Sequence, residues 1–280
     1  MTLMKSMLMR AWKKTVARLE RLSVAWACAA AGLLSSCVSL PQDAPFSARV
    51  VEAVRSMPSG GGYAGDRAAE VRLAERGVVW CADEKKLVVS PLEAAPTFCS
   101  AACYEVLLLA LEKWQAVHPQ QALSPRVWEN LRVEVDHPDG YLSWGRVNAN
   151  GPGLAKWVHD VGAGVNFSSP EAAQPGDFLK FFHTPEIGAR ERGHLVVFLG
   201  LEQKDGETRL RYWSSNRPGG YGERSVPLSK LHHPIFTRIT RPERVARVLQ
   251  LPVFDSWLSS MLMRAHSYEE VVQKCGVRPR

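Results

Sequence analysis

Between residues 99 and 111 almost every position is apolar, and Val106, Leu109, Ala110 and Lys113 recur at helical spacing. The pattern predicts a helix ending near His118-Pro119 and buried on most sides. Pro96 and Thr97 mark its start, with Thr97 as the expected N-cap. Upstream, residues 48–57 have a helical pattern that Pro58-Ser59-Gly60-Gly61-Gly62 breaks. Asp66 is placed to cap a second helix through Arg76, with Gly77 as its stop. Residues 78–81 and 86–89 read as short strands. From residue 174 the period shortens. Turns at 174–177 and 204–207 separate strand-like runs at 178–182, 193–200 and 209–214, and 221–226 and 235–239 supply more. No helical pattern intervenes, so the sheet is expected to be antiparallel. The fold class is α+β. Beyond 240 the pattern is helical again, with capping boxes expected at 240–243 and 267–270. Residues 119–170 are rich in Gly, Asn, Asp and Pro and are expected to be irregular, apart from a short helix over 154–161.

Composition changes this picture at the N-terminus. The 280-residue chain has a formal charge of +7. Residues 1–36 hold six of its 35 basic residues and one of its 28 acidic ones, so the remainder carries only +2. That balance gives no reason to expect a nucleic-acid partner. The basic start, the apolar run from Leu22 to Leu34, and Leu34-Ser35-Ser36-Cys37 read as an export signal over 1–36. The last four residues resemble the lipobox of bacterial lipoproteins. That resemblance implies lipidation at Cys37, attachment to a membrane through the lipid, and, with Val38 following, the periplasmic face of the outer membrane. The expected division is then a tether over 37–65, a domain over 66–240 and a helical extension over 241–280. Cys81, Cys99, Cys103 and Cys275 would lie in an oxidising compartment, and at most one disulfide joins Cys81, Cys103 and Cys275 if Cys99 stays free.

Cys99 opens the most apolar helix. The first turn of a helix offers free N–H groups and partial positive charge, which favour a thiolate. A thiolate nucleophile needs a base, and the base needs an orienting group. Of eight histidines, His194 begins the most apolar strand and would sit at the rim of the sheet. On the next strand Trp213-Ser214-Ser215-Asn216 is the polar end of an apolar run. Asn216 is the expected third residue and Ser214 the alternative. Trp144, Asn148 and Asn150 in the loop-rich insert, with Trp213, are candidate substrate contacts, and buried Trp plugs are the other reading of the tryptophans.

Four segments in order carry a family resemblance: Cys99-Ser100; Pro175-Gly176-Asp177-Phe178-Leu179-Lys180-Phe181-Phe182; Gly193-His194-Leu195-Val196-Val197-Phe198-Leu199-Gly200; and the polar end near Asn216. Together they resemble the NlpC-type papain-like cysteine peptidases and, more loosely, CHAP amidases, over residues 90–240. Phe98 stands where that family often has Asp, Ala101 where it has Gly, and Asn216 where it commonly has His. The resemblance implies a papain-like fold in which the Cys helix packs on an antiparallel sheet. It also implies hydrolysis of amide bonds in peptidoglycan stem peptides, or of a peptide substrate, by a monomer without cofactor or metal. An acyltransferase on a non-wall substrate and a non-catalytic wall-binding lipoprotein are the alternatives.

Overall fold

The computed structural model describes residues 40–278. The signal over 1–36 and the lipidation site Cys37 lie outside the described residues. The described residues begin with α1 (Phe46–Ser56), β1 (Gly60–Gly61) and α2 (Arg67–Arg72), the last capped by Asp66, whose carboxylate accepts from the Ala69 N–H. A π turn over Leu73–Gly77 ends it and leads into the hairpin β2 (Val78–Cys81) and β3 (Lys86–Val89). Next come α3 (Pro91–Ala94) and the long α4 (Cys99–Val117). Then follow α5 (Pro125–Asn130), α6 (Leu142–Asn148), α7 (Gly153–Val161) and β4 (Gly164–Phe167). The strand-rich half holds β5 (Phe178–Phe182), β6 (Ile187–Gly188), β7 (Gly193–Lys204), β8 (Glu207–Asn216), β9 (Gly220–Pro227) and β10 (His232–Ile239). A 3-10 segment (Pro242–Gln250), α8 (Ser256–Ser260), β11 (Ala265–His266), α9 (Tyr268–Cys275) and β12 (Val277–Arg278) complete the described chain.

The large sheet runs β1-β9-β8-β7-β5-β10-β4-β12, antiparallel except for the parallel pair β4–β12. The mixed α+β class and the mostly antiparallel sheet are as expected. The hydrophobic density of α4 explains its place: Ala101 to Leu108, Ala110, Leu111 and Trp114 are all buried between α1 and the sheet.

Several expectations are corrected. Residues 37–65 were expected to be a tether, yet Phe46, Val50, Ala53 and Val54 of α1 are buried against α4, and β1 pairs with β9. The tail is not an appendage either. β12 adds to the sheet, and His266 and Ala265 pair with Ile187 and Gly188. From Gln42 onward the chain is one unit, so boundaries at 65 and 240 do not divide the fold. Residues 119–170 are less irregular than expected: the helix expected over 154–161 is present as α7, but α5 and α6 also form, and the three helices bury Trp128, Trp144 and Trp157. Thr97 does not cap α4: Phe98 is the N-cap and no side chain caps it. The Thr97 carbonyl oxygen instead accepts from the Ala64 N–H and the Ser215 hydroxyl. The box at 240–243 fails, with Arg241 at the cap position and no side-chain bond. The one at 267–270 holds through Ser267 accepting from the Glu270 N–H.

Candidate active site

Cys99 is the first residue of α4, so its backbone N–H has no intrahelical partner. The strand end of β7 brings His194 to it. Gly193 leaves room there for the Lys180–Glu191 pair: a Cβ would stand 2.5 Å from Lys180 Nζ and 2.6 Å from Glu191 Oε1, and those side-chain ends would have to shift. His194 is wedged edge-on between Phe181 and Tyr212, with ring centroids 5.7 and 5.5 Å away. Its Nε2 lies 3.2 Å from Asn216 Oδ1. The Asn216 amide is itself fixed, with Nδ2 donating to the Ser214 and Gly222 carbonyls, each at 2.9 Å. Oδ1 therefore accepts from Nε2–H, and Nδ1 is the ring nitrogen left for the thiol.

Burial pushes the Cys99 thiol up, but His194, by hydrogen bond and by charge, the Leu195 N–H and the Lys180 ammonium outweigh it and hold the thiol down at about 6. The result is a thiolate at neutral pH, the nucleophilic form. Cys99, His194 and Asn216, proposed from three distant segments, are thus brought together. Ser214 is not an alternative orienting group, because its hydroxyl donates to the Leu195 carbonyl at 2.8 Å.

Cys99 lines a cavity of about 440 Å³. Asn148 and Asn150, two of the candidate substrate contacts, line it, and Ser100 Oγ donates to Asn148 Oδ1 at 2.7 Å. Trp144 and Trp213 do not. Trp144 is buried against Phe98 and Tyr104, with its Nε1 donating to Glu70, and Trp213 is buried and stacked on Tyr221. Both fill the core because indole surface is too large to leave in water when a packed interior is at hand.

Four cavity residues escaped the sequence reading. Tyr63 hydrogen-bonds to Cys99 and Arg217, and burial and the Cys99 charge push its hydroxyl up to about 12. The Arg217 guanidinium lies 4.7 Å over the Tyr63 ring. Glu191 accepts from Lys180 Nζ at 2.6 Å and from the Gly151 and Gly188 N–H groups at 2.6 and 2.9 Å, tying three segments together beside the thiol. Asp139, half buried, is pushed up to about 6 by burial, though the Asn150 N–H pulls it down. The Gly60-Gly61-Gly62 run directly before Tyr63 was the one available signal, since all three glycines have positive φ and turn the chain back toward α4.

All four described cysteines are free thiols. Among the described residues no group of three or more His, Cys, Asp or Glu is arranged to hold a metal ion. A second Ser–His–Glu chain sits in the tail. His266 lies 3.2 Å from Ser260 Oγ and 3.0 Å from Glu270 Oε2, but the Ser260 hydroxyl donates to the Trp257 carbonyl at 2.7 Å and the imidazole side chain is fully buried. That chain pins the tail rather than presenting a nucleophile.

Compared with known proteins, the sequence matches no family model, no curated protein and no solved structure.

Proposed function

We propose that this protein is a cysteine hydrolase of the NlpC-type papain-like class, anchored to the cell envelope, which cleaves an amide bond in a peptidoglycan stem peptide. The observation that carries the reading is the Cys99–His194–Asn216 chain at the wall of a cavity. The segment resemblance and the lipobox at Cys37 support it from the sequence. The burial of Trp144 and Trp157 weighs against the alternative of a wall-binding module, because it removes the aromatic surface that such a module needs.

In the mechanism, the Cys99 thiolate attacks the amide carbonyl carbon and a C–S bond forms. The oxyanion is held by the Cys99 N–H, with the Tyr63 hydroxyl as a second donor beside the same sulfur. His194 gives the Nδ1 proton to the departing amine as the C–N bond breaks. It then takes a proton from water, which attacks the thioester and releases the acid and the thiolate. Asn216 holds the ring through Nε2 in both steps.

The test uses protein beginning at Val38, incubated with disaccharide-peptide fragments of the wall and followed by mass spectrometry. Wild type should release a peptide by addition of one water across an amide, and Cys99→Ala should lose at least about 1,000-fold in kcat/KM. Turnover by Cys99→Ala at the wild-type rate contradicts the proposal.

A further inference from the structure

Strands β7 and β8 are paired from Val197–Trp213 out to their hairpin. In the other direction they separate: β8 stays with β9 as far as Asn216, while residues 193–196 stay with β5. The first turn of α4 fills the gap. Within it the two backbone groups of a single residue, Leu195, serve two cysteines. The Leu195 N–H donates to the Cys99 sulfur. The Leu195 carbonyl accepts from Cys103 Sγ at 3.3 Å and from Ser214 Oγ.

Cys99 and Cys103 also stand four residues apart on one helix face, with Cα atoms about 6 Å apart by helix geometry. That spacing falls in the range that a disulfide spans. Their Cβ atoms must draw together somewhat. Cys99 is the residue able to move, since it is the first of α4 and its N–H has no intrahelical bond to break. The two thiols differ in access: Cys99 faces the cavity, whereas Cys103 is 1% exposed.

We propose that Cys103 is a resolving thiol for Cys99, and that peroxide converts the pair to a reversible disulfide. Cys99 thiolate attacks hydrogen peroxide, forming an S–O bond and breaking the O–O bond, and the hydroxide released takes a proton to become water. Cys99 is then a neutral sulfenic acid. Cys103 sulfur attacks it, the S–S bond forms, and the hydroxyl leaves as water with the Cys103 proton. Two electrons pass from the thiols to one peroxide, and a dithiol reductant returns them. Burial and the neighbouring Cys99 charge keep Cys103 protonated in the resting state. Loss of that charge on oxidation favours its attack. The device would spare the nucleophile from irreversible oxidation in an oxidising compartment.

The test needs no substrate, so it stands apart from the fate of the hydrolase reading. Protein beginning at Val38 is treated with one equivalent of hydrogen peroxide, digested with trypsin and weighed. Residues 87–113 form one tryptic peptide containing Cys99 and Cys103 and no other cysteine. The expected result is a loss of two hydrogens (about 2 Da) in that peptide, reversed by dithiothreitol together with Cys99 alkylation. In Cys103→Ala, given two further equivalents of peroxide, the same peptide should instead gain two oxygens, reaching the sulfinic acid (about 32 Da) that dithiothreitol does not reverse. Oxygen gain in the wild-type peptide without loss of two hydrogens overturns the proposal. So does a disulfide from Cys99 to Cys81 or Cys275. The wild-type peptide decides the matter even if the variant folds poorly.

Discussion

A thiol at the head of a helix gains N–H groups and loses water, and at Cys99 the outcome is set by its neighbours rather than by the helix alone. Burial works against the thiolate, and His194, the Leu195 N–H and Lys180 reverse it. Six residues further along α4 the same competition ends differently. Glu105 is fully buried, and burial pushes its carboxyl up to about 8, although Tyr221 donates to Oε2 at 2.7 Å. Its Oε1 has no hydrogen-bond partner among the described residues. An acid whose folded value lies above its unfolded one stabilises fully below the unfolded value, near 4.5, and the contribution is lost as pH rises through about 8. Glu105→Gln keeps an acceptor for Tyr221 and removes the titration. Urea unfolding should find the variant more stable than wild type at pH 8.5 and the difference shrinking toward pH 5, and a difference independent of pH contradicts this account. Cys99 and His194 could be read in the sequence because chemistry and position coincide: a thiol at a helix start, an imidazole at the rim of an apolar strand. Trp144 misled because an indole in a Gly- and Asn-rich stretch looks the same whether it faces solvent or core, and Trp213 because an indole beside the polar end of a strand does too. Glu191 gave no sign, and Tyr63 none beyond the glycine run before it, as each acts through groups far away in sequence.

At the scale of elements, the strands followed from alternation and turn chemistry, and β2, β3 and β5 fall where the pattern put them. Short helices were harder. α6 has seven residues and lies among turn-forming neighbours, so its burial comes from tertiary packing that local periodicity does not carry. α1 was found near its true bounds but assigned to a tether, because eleven residues with one apolar face look alike on a linker and on a core. Val50 tests the difference, being 1% exposed against α4. Val50→Ala should cost about 2 kcal/mol in chemical unfolding, as a buried truncation does. A tether residue would cost less than about 0.5 kcal/mol, and such a value would contradict the packing of α1 into the core.

For the whole molecule, the site depends on segments that meet only when the chain is complete. Thr97, two residues before Cys99, is held by the Ser215 hydroxyl. Glu191 is bonded to Gly151 in the helical insert, and Leu262 in the tail lines the same cavity as Cys99. A division at 240 misses this, because contacts between residues more than a hundred positions apart leave no periodic trace. The central claim is that this assembly makes Cys99 a thiolate through His194 and Asn216. Alkylation of protein beginning at Val38 with iodoacetamide from pH 4 to 9, with the labelled residue mapped, tests it most directly. The account predicts that Cys99 reacts along a curve with its midpoint near 6, and that His194→Ala moves the midpoint upward toward the ordinary thiol range of about 8.5. A Cys99 midpoint already near about 8.5 in wild type, or one unmoved by loss of His194, would contradict it.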